Sequence, residues 1–291
     1  MRQNSTLAKF DNSNSWVILS PIEQSIKAKI EKIGTPLKDW DINIYRGILT
    51  GFNDAFIVSR EKREEILGNC KDDNERKRTE VLIRPILRGR DIKRYEYNFA
   101  DLYLINTHNG LKEKNIPRID INDYPAVKKH LDEYWDKISV RADKGDTPYN
   151  LRNCAYMEDF DKPKIIYPNM TKFLPFVYDD KNFLTNQKCF IITGKSTAFL
   201  TAFFNSSLFK YCFRNSFPEL LGGTRELSKI FFDKIPVIQV NAATEERFKI
   251  AVTDIQQKYS KSKAIRIDSM IFDLYNLSQE ERDLIGYIEI K

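Results

Sequence analysis

From Thr197 to Phe217 the chain reads TAFLTAFFNSSLFKYCFRNSF, with Leu200, Phe204, Leu208 and Tyr211 on one series of three- and four-residue steps and Phe199, Phe203, Phe209 and Phe213 on another. Apolar positions on more than one stripe predict a single helix over 197–217 that is buried on most sides. Ser196 stands where it can cap the first turn, and Pro218 cannot continue the last. Leu221-Gly222-Gly223-Thr224-Arg225-Glu226 follows, then the apolar runs Ile230-Phe231-Phe232 and Ile235-Pro236-Val237. Two adjacent glycines permit backbone conformations closed to other residues. The turn either joins helix to strand or holds Arg225 out to a ligand.

The other patterns arrange themselves around that helix. Ser20-Pro21 opens a segment with Ile22, Ile26, Ile30 and Ile33 at helical spacing, closed by Gly34 and Pro36. Residues 42–48 and 55–59 are rich in β-formers, and Leu49 to Asp54 between them suits a hairpin loop. A charged stretch, 61–79, reads as helix and loop. Leu102 to Asn106 is a strand with a turn to Gly110. Pro125 starts a helix whose stripe is Val127, Leu131, Trp135 and Ile138, which puts Trp135 in the core and leaves His130 at the surface or hydrogen-bonded. Strands over 164–168, 174–178 and 188–193 then deliver the chain to the central helix, which lies against one face of their sheet. Beyond Val237 the pattern is helical: Thr244 is placed as a cap ahead of Phe248, Val252, Ile255 and Tyr259, Ile267 and Ile271 mark a second helix, and Ser278 to Glu281 is a capping box. The fold class is α+β, a mixed sheet with a buried central helix and C-terminal helices. Its expected divisions are a lead-in segment at 1–40, a body at 41–240 and a helical segment at 241–291 packed on that body.

Composition narrows the class. The 291 residues carry 47 Lys and Arg against 41 Asp and Glu, a net charge of +6 that mildly favours polyanionic partners. No apolar run approaches the ~20 residues of a membrane span. Cys70, Cys154, Cys189 and Cys212 are far apart and form no CxxC, so neither a zinc knuckle nor a disulfide framework is expected and a reducing cytoplasm is the expected compartment. Two histidines, His108 and His130, are too few for a histidine-rich metal site.

The strongest local field lies between Arg76 and Arg94, where Arg76, Lys77, Arg78, Arg84, Arg88, Arg90, Lys93 and Arg94 face only Glu80 and Asp91. Such a run is either a solvated face or a site for polyanions. Arginine in excess of lysine favours planar recognition of phosphates or base edges, and Ile83, Ile86, Leu87 and Ile92 tie the run to a core. The loop from Arg141 to Asn153 adds three basic side chains. Neither GxGxxG nor GxxxxGK[ST] occurs, nor a GxSxG elbow. Glu289-Ile290-Lys291, with Asp273 or Asp283 upstream, imitates the end of a nuclease motif, but it falls in an expected terminal helix, whereas metal-binding carboxylates need a rigid shared pocket. Binding is thus favoured over catalysis. A small stand-alone nuclease is the alternative from another class.

Seven strings in order, DINIYRGILTGFNDAFIV, IRPILRGRDIKRY, LYLINTHNG, RADKGDTPYNLRNCAYMEDFDKPKIIYPNM, FLTNQKCFIITG, LTAFFNSSLFKYCFRNSF and LGGTRELSKIFFDKIPV, resemble the TaqI-like specificity domain. That module follows the methyltransferase domain in adenine-specific DNA methyltransferases and type IIG restriction-modification enzymes. The tail FDLYNLSQEERDLIG resembles its closing helices, so the likeness runs from about Trp16 to Ile288. It implies a target recognition domain for double-stranded DNA, beside N-terminal methyltransferase and nuclease domains that flip out and modify the adenine or cut the strand. The NPPY-type motif of those methyltransferases is absent from this chain. No cofactor is therefore expected in it, while S-adenosylmethionine and magnesium are expected for a parent enzyme. A type I specificity subunit is the other binding-class alternative, but it would carry a second recognition region and long helices. The resemblance places the DNA-binding residues at Thr50, Gly51 and Asn53, at Arg84, Arg88, Arg90, Lys93 and Arg94, and at Gly222, Gly223, Thr224 and Arg225. Lys144 and Lys172 are the expected phosphate contacts; Arg88, Arg90, Asn53 and Arg225 are the expected base readers.

Overall fold

A computed structural model describes residues 19–288. The start of the chain to residue 18 and the Glu289 to Lys291 tripeptide lie outside the described residues. At the centre is a four-stranded antiparallel sheet in the order Val177–Asp179, Lys164–Pro168, Cys189–Gly194, Ile42–Arg46. Alternation along these strands divides the interior in two. Ile165, Tyr167 and Ile192 point to one core with the central helix, while Ile166, Val177 and Ile191 point to the other. Every residue of the Lys164–Pro168 strand is buried, which is why Ile165 to Pro168 show no polar alternation, and the buried Lys164 at its start is paired with Asp179 at 2.6 Å.

The second core belongs to a smaller mixed sheet, Leu184–Thr185, Ile83–Leu87, Leu102–Ile105 and Ile57–Ser59. Residues 42–48 and 55–59, expected to pair as a hairpin, go instead to different sheets. Ile42–Arg46 pairs with Cys189–Gly194 and Ile57–Ser59 with Leu102–Ile105, and a helical turn at Asn53–Phe56 separates them. Alternation marked both strands but carried no information about partners. Trp135 also departs from expectation: the helix from Pro125 ends at Asp132, a new turn starts at Trp135, and the indole is 43% exposed beside Tyr149. His130 is buried, with Nε2 2.9 Å from the Ala55 carbonyl.

The predicted central helix is present but interrupted. Thr197–Phe204, buried at every position, ends at Asn205, and Ser206 caps a second helix at Ser207–Phe213. Asn and Ser compete for backbone hydrogen bonds, and the break satisfies them. Asn205 donates Nδ2 to the Phe176 carbonyl at 2.7 Å and accepts the Phe176 amide on Oδ1 at 3.1 Å, as a sheet neighbour would. Asp268 takes the Ser207 amide at 2.8 Å and its hydroxyl at 2.7 Å. Arg94 donates to the Asn205 carbonyl at 2.9 Å and lies 3.9 Å from Asp268. At the other end Ser196 has a left-handed backbone and makes no side-chain cap; Glu245, from the Ala242–Gln257 helix, accepts the amides of Ala198 and Phe199 at 3.0 and 2.9 Å.

Both termini of the described chain close on this core. The Pro21–Ile33 helix opens with a Ser20–Glu23 capping box, buries Ile26 and Ile30, and pairs Lys29 with Glu281 at 2.6 Å. The following Gly34–Pro36 strand pairs with Pro236–Ile238. Helices Ala242–Gln257, Lys261–Leu274 and Gln279–Ile285 complete the layer, the last with the expected capping box at Ser278. Asn241, not Thr244, caps the first of them, since it is Asn241 that precedes the first helical residue.

Burial raises the Asp268 carboxyl above its ordinary range even though the Ser207 bonds pull it down. Asp268→Ala leaves the Ser207 amide without an acceptor and the Arg94 charge without its carboxylate in the interior, and should cost roughly 2–4 kcal/mol. Urea unfolding at neutral pH checks this; a midpoint equal to wild type would show that the clamp contributes nothing. Burial also pushes His130 below the ordinary histidine value. The unfolded chain then takes up the proton first, so this contribution to stability is full above the ordinary histidine pKa, about 6.5, and is lost as pH falls below it. In His130→Gln the loss of stability between neutral and mildly acidic pH should be shallower by up to about one proton; an unchanged slope would assign the acid sensitivity to other groups.

Candidate nucleic-acid interface

The Ile42–Arg46 strand runs out into Gly47-Ile48-Leu49-Thr50-Gly51-Phe52-Asn53, and its path is set by a close approach. A Cβ at Gly47 would lie 2.1 Å from the Asn186 carbonyl oxygen. The turn at 186–188 is thereby pressed against it: Gly47 and Ile48 donate their amides to Cys189 and Thr185, and Arg46 donates Nε to the Gln187 carbonyl at 3.0 Å. Beyond, Gly51 has φ +69° and Thr50 donates its hydroxyl to Asn53 at 2.6 Å.

One buried arginine holds this loop. The Arg141 guanidinium donates to the carbonyls of Thr50, Asp143, Pro148 and Asn150 and lies 4.4 Å above the Phe56 ring. Burial pushes its pKa down to about 10, which leaves it charged at neutral pH. Of the basic side chains in the 141–153 loop, this one is structural. Lys144, by contrast, is exposed and donates to the Ser139 carbonyl at 2.7 Å. The two loops and the 186–188 turn enclose a polar cleft of about 380 Å³, lined by Arg46, Thr50, Gly51, Asn53, Asp143 and Gln187 among others.

The basic run from Arg76 to Arg94 does not form one patch. Arg88 is held by both oxygens of Asp91, at 2.8 and 2.9 Å, and closes the Gly89–Asp91 turn; Asp91 also accepts the Arg88 amide. That clamp leaves Arg90 exposed at the turn's tip. Arg84 points to a different cleft, of about 610 Å³, and is bound there by Asp161 at 2.6 Å and the Asn182 carbonyl at 2.9 Å. Arg94 is the interior clamp on Asn205. Lys93 is exposed in the Ile92–Lys93 strand opposite Glu96.

The glycine turn closes a small ribbon. Arg225–Glu226 pairs with Met170–Thr171, and Leu220 donates its amide to Thr224 at 2.7 Å. Arg225, expected to be held out to a ligand, is 7% exposed: its guanidinium donates to the Phe217 carbonyl at 2.7 Å and to Glu219 at 2.6 Å. It braces the base of the turn. Gly222 and Gly223, at φ +75° and +77°, and Thr224 form the part that projects. Lys172 is exposed just past the paired strand.

These turns adjoin. Asn169 donates its amide to Lys188 and accepts that of Leu227, each at 2.8 Å, and a Cβ at Gly89 would lie 3.4 Å from the Lys188 carbonyl. Backbone contacts thus join the 46–53 loop, the 186–188 turn, the Gly89–Asp91 turn and the root of the glycine ribbon into a rim that bears Asn53, Arg46, Gln187, Lys188 and Arg90, with Lys172 and Gly223 farther out on the ribbon. Of the residues named from sequence, the rim gathers Gly51, Asn53, Arg90, Lys172, Gly223 and Thr224; Thr50 is buried beneath it, Arg84 and Arg94 lie apart from it, and Arg88 and Arg225 support it from behind. Arg46, Gln187 and Lys188 were missed. The Asn186-Gln187-Lys188 turn inside the quoted string FLTNQKCFIITG is the signal that could have found the last two.

Solved structures share this fold, among them two restriction-modification enzymes. The type IIL restriction-modification enzyme MmeI, determined in complex with DNA, superimposes with a TM-score of 0.56 at 12% identity over 84% of this chain and 34% of its own. The type IIG restriction endonuclease BpuSI does so with a TM-score of 0.50 at 13% identity over 88% of this chain and 33% of its own. The chain therefore spans about a third of either enzyme. A family model matches residues 84–237, more than half of the chain and inclusive of the Gly89–Asp91 turn, the 186–188 turn and the glycine ribbon, and on that match the chain belongs to the TaqI-like C-terminal specificity domains.

Proposed function

We propose that this chain recognises a specific sequence in duplex DNA as the specificity domain of a type IIG restriction-modification enzyme. The observation that carries the reading is the rim. Exposed cations at Arg46, Lys188, Arg90 and Lys172 stand on adjoining turns, the first of them lining a polar cleft that bears Asn53 and Gln187. Lys and Arg on phosphates supply affinity without sequence information, whereas amides can bond adenine bidentately and arginine guanine. Because rigid strands carry the turns, the readers are positioned by the two cores rather than by the loops themselves. Methyl transfer and cleavage belong, in this reading, to methyltransferase and nuclease domains of a longer parent, which would bring S-adenosylmethionine and magnesium. The chain itself supplies duplex recognition, in the cytoplasm, and no catalysis.

The purified chain should bind duplex DNA with an affinity that falls steeply with salt. Lys172→Ala and Lys188→Ala should each weaken binding to any duplex and reduce the log–log salt slope by about one. Undetectable binding at low salt, or binding indifferent to salt, would refute the reading. Gln187→Ala and Asn53→Ala should behave otherwise, costing about 1–3 kcal/mol on the cognate site and little on random DNA. Arg225→Ala should lower stability without changing the ratio of cognate to random affinity, because its guanidinium faces inward. Methylation of the target by the parent enzyme measures that ratio.

A further inference from the structure

The tip of the glycine ribbon exposes apolar side chains where a monomer has no use for them. Leu221 is 99% exposed and Phe173 76%. Arg225 stands opposite Thr171 and, across the 221–223 hairpin, opposite Glu219, so Lys172 and Phe173 follow directly on the strand that pairs with the ribbon. The tip is nonetheless built. Gly223 donates its amide to Leu220 at 3.3 Å, Thr224 its hydroxyl to Leu221 at 3.1 Å, and Thr171 and Phe173 bond each other through the threonine hydroxyl. Nothing lies within 4 Å of where a Cβ would stand on Gly222 or Gly223, so these glycines serve the turn of the backbone and keep the tip narrow. Arg225, bound to Phe217 and Glu219, stiffens its root.

We propose that Leu221, at the tip of the ribbon, is an apolar wedge that enters a base step of duplex DNA. The proposal rests on the reading of the chain as a DNA recognition domain. Charge complementarity selects the occupant: the exposed Lys172 follows the strand residue paired with Arg225, and Lys188 and Arg90 are exposed on the neighbouring turns, cations that would hold the flanking phosphates. Inserted leucine and phenylalanine side chains partly unstack a step and bend the duplex, and burial of the apolar side chain offsets part of that cost. A duplex with one stack already weakened should therefore be preferred, because the unstacking is prepaid.

The test uses the full chain and two fluorescent duplexes of about 30 base pairs, identical except that one carries a central abasic site. Wild type should bind the abasic duplex about fivefold or more tighter than the intact one, and 2-aminopurine beside the site should brighten as its stack opens. Leu221→Ser should abolish the preference and the brightening while leaving the salt slope unchanged. Lys172→Ala should weaken both duplexes alike and keep the preference. Ile250→Ser, an exposed apolar position on the Ala242–Gln257 helix, is the control and should match wild type. Equal binding of the two duplexes by wild type, with normal salt dependence, overturns the wedge but leaves DNA recognition standing. A preference that survives Leu221→Ser also overturns it, as does a wild-type dimer that Leu221→Ser converts to monomer, which would assign the tip to a second copy. Failure to bind either duplex at low salt overturns the DNA reading itself.

Discussion

The arrangement depends on a polar clamp inside an apolar core. Asn205 interrupts the central helix and hydrogen-bonds the Phe176 backbone on both sides, Asp268 holds the restart at Ser207, and Arg94 spans Asn205 and Asp268. Buried polar groups of this kind are costly unless satisfied and directional once they are. The phenylalanines around them, among them Phe199, Phe203, Phe204 and Phe209, fill volume without dictating angle. The clamp and the Glu245 cap set where each half of the helix points, and hence where its end at Phe217 places the glycine ribbon.

The same economy explains why so many arginines are withdrawn from the surface. A guanidinium presents five donors in a planar fork, so one side chain can satisfy several loop carbonyls or both oxygens of a carboxylate. Arg141 does the first for the 143–150 loop, Arg88 the second for the Gly89–Asp91 turn, and Arg225 a mixture of both. Each stiffens a segment whose neighbour projects. Turns held rigid from beneath, with exposed cations at Lys144, Arg90 and Lys172 on or beside them, make a surface suited to a stiff, charged partner, since little conformational entropy is left to lose on binding.

The two sheets divide the work. The larger, buried on both faces, joins the cores and ends in Arg46 and Cys189 at the edge where the 46–53 and 186–188 turns meet. The chain passes from Leu184–Thr185 in the smaller sheet directly to Cys189–Gly194 in the larger, so the 186–188 turn is anchored at both ends. Shifts in either core would move the turn as a unit.

Much of the fold was legible in the sequence because it follows from local chemistry. The apolar surface of 197–217 dictated a buried helix, Ser20-Pro21 the start of another, Ser278 its capping box, and the β-branched runs at 164–168 and 188–193 their strands. The seven strings in order also carried the family. Strand partners were not legible, because period-two alternation names a face and not a neighbour, and so residues 42–48 and 55–59 looked like a hairpin and became members of two sheets. Nor was the fate of individual arginines. Arg90 and Arg94 are four residues apart and chemically identical, yet one meets solvent at a turn and the other meets Asp268, which is 174 residues farther along the chain (268 − 94). Local sequence determines that a side chain is charged; only the closure of the chain decides whether a carboxylate or carbonyl is waiting for it. For that reason Arg225 became a brace, and the projecting feature of its turn proved to be Leu221.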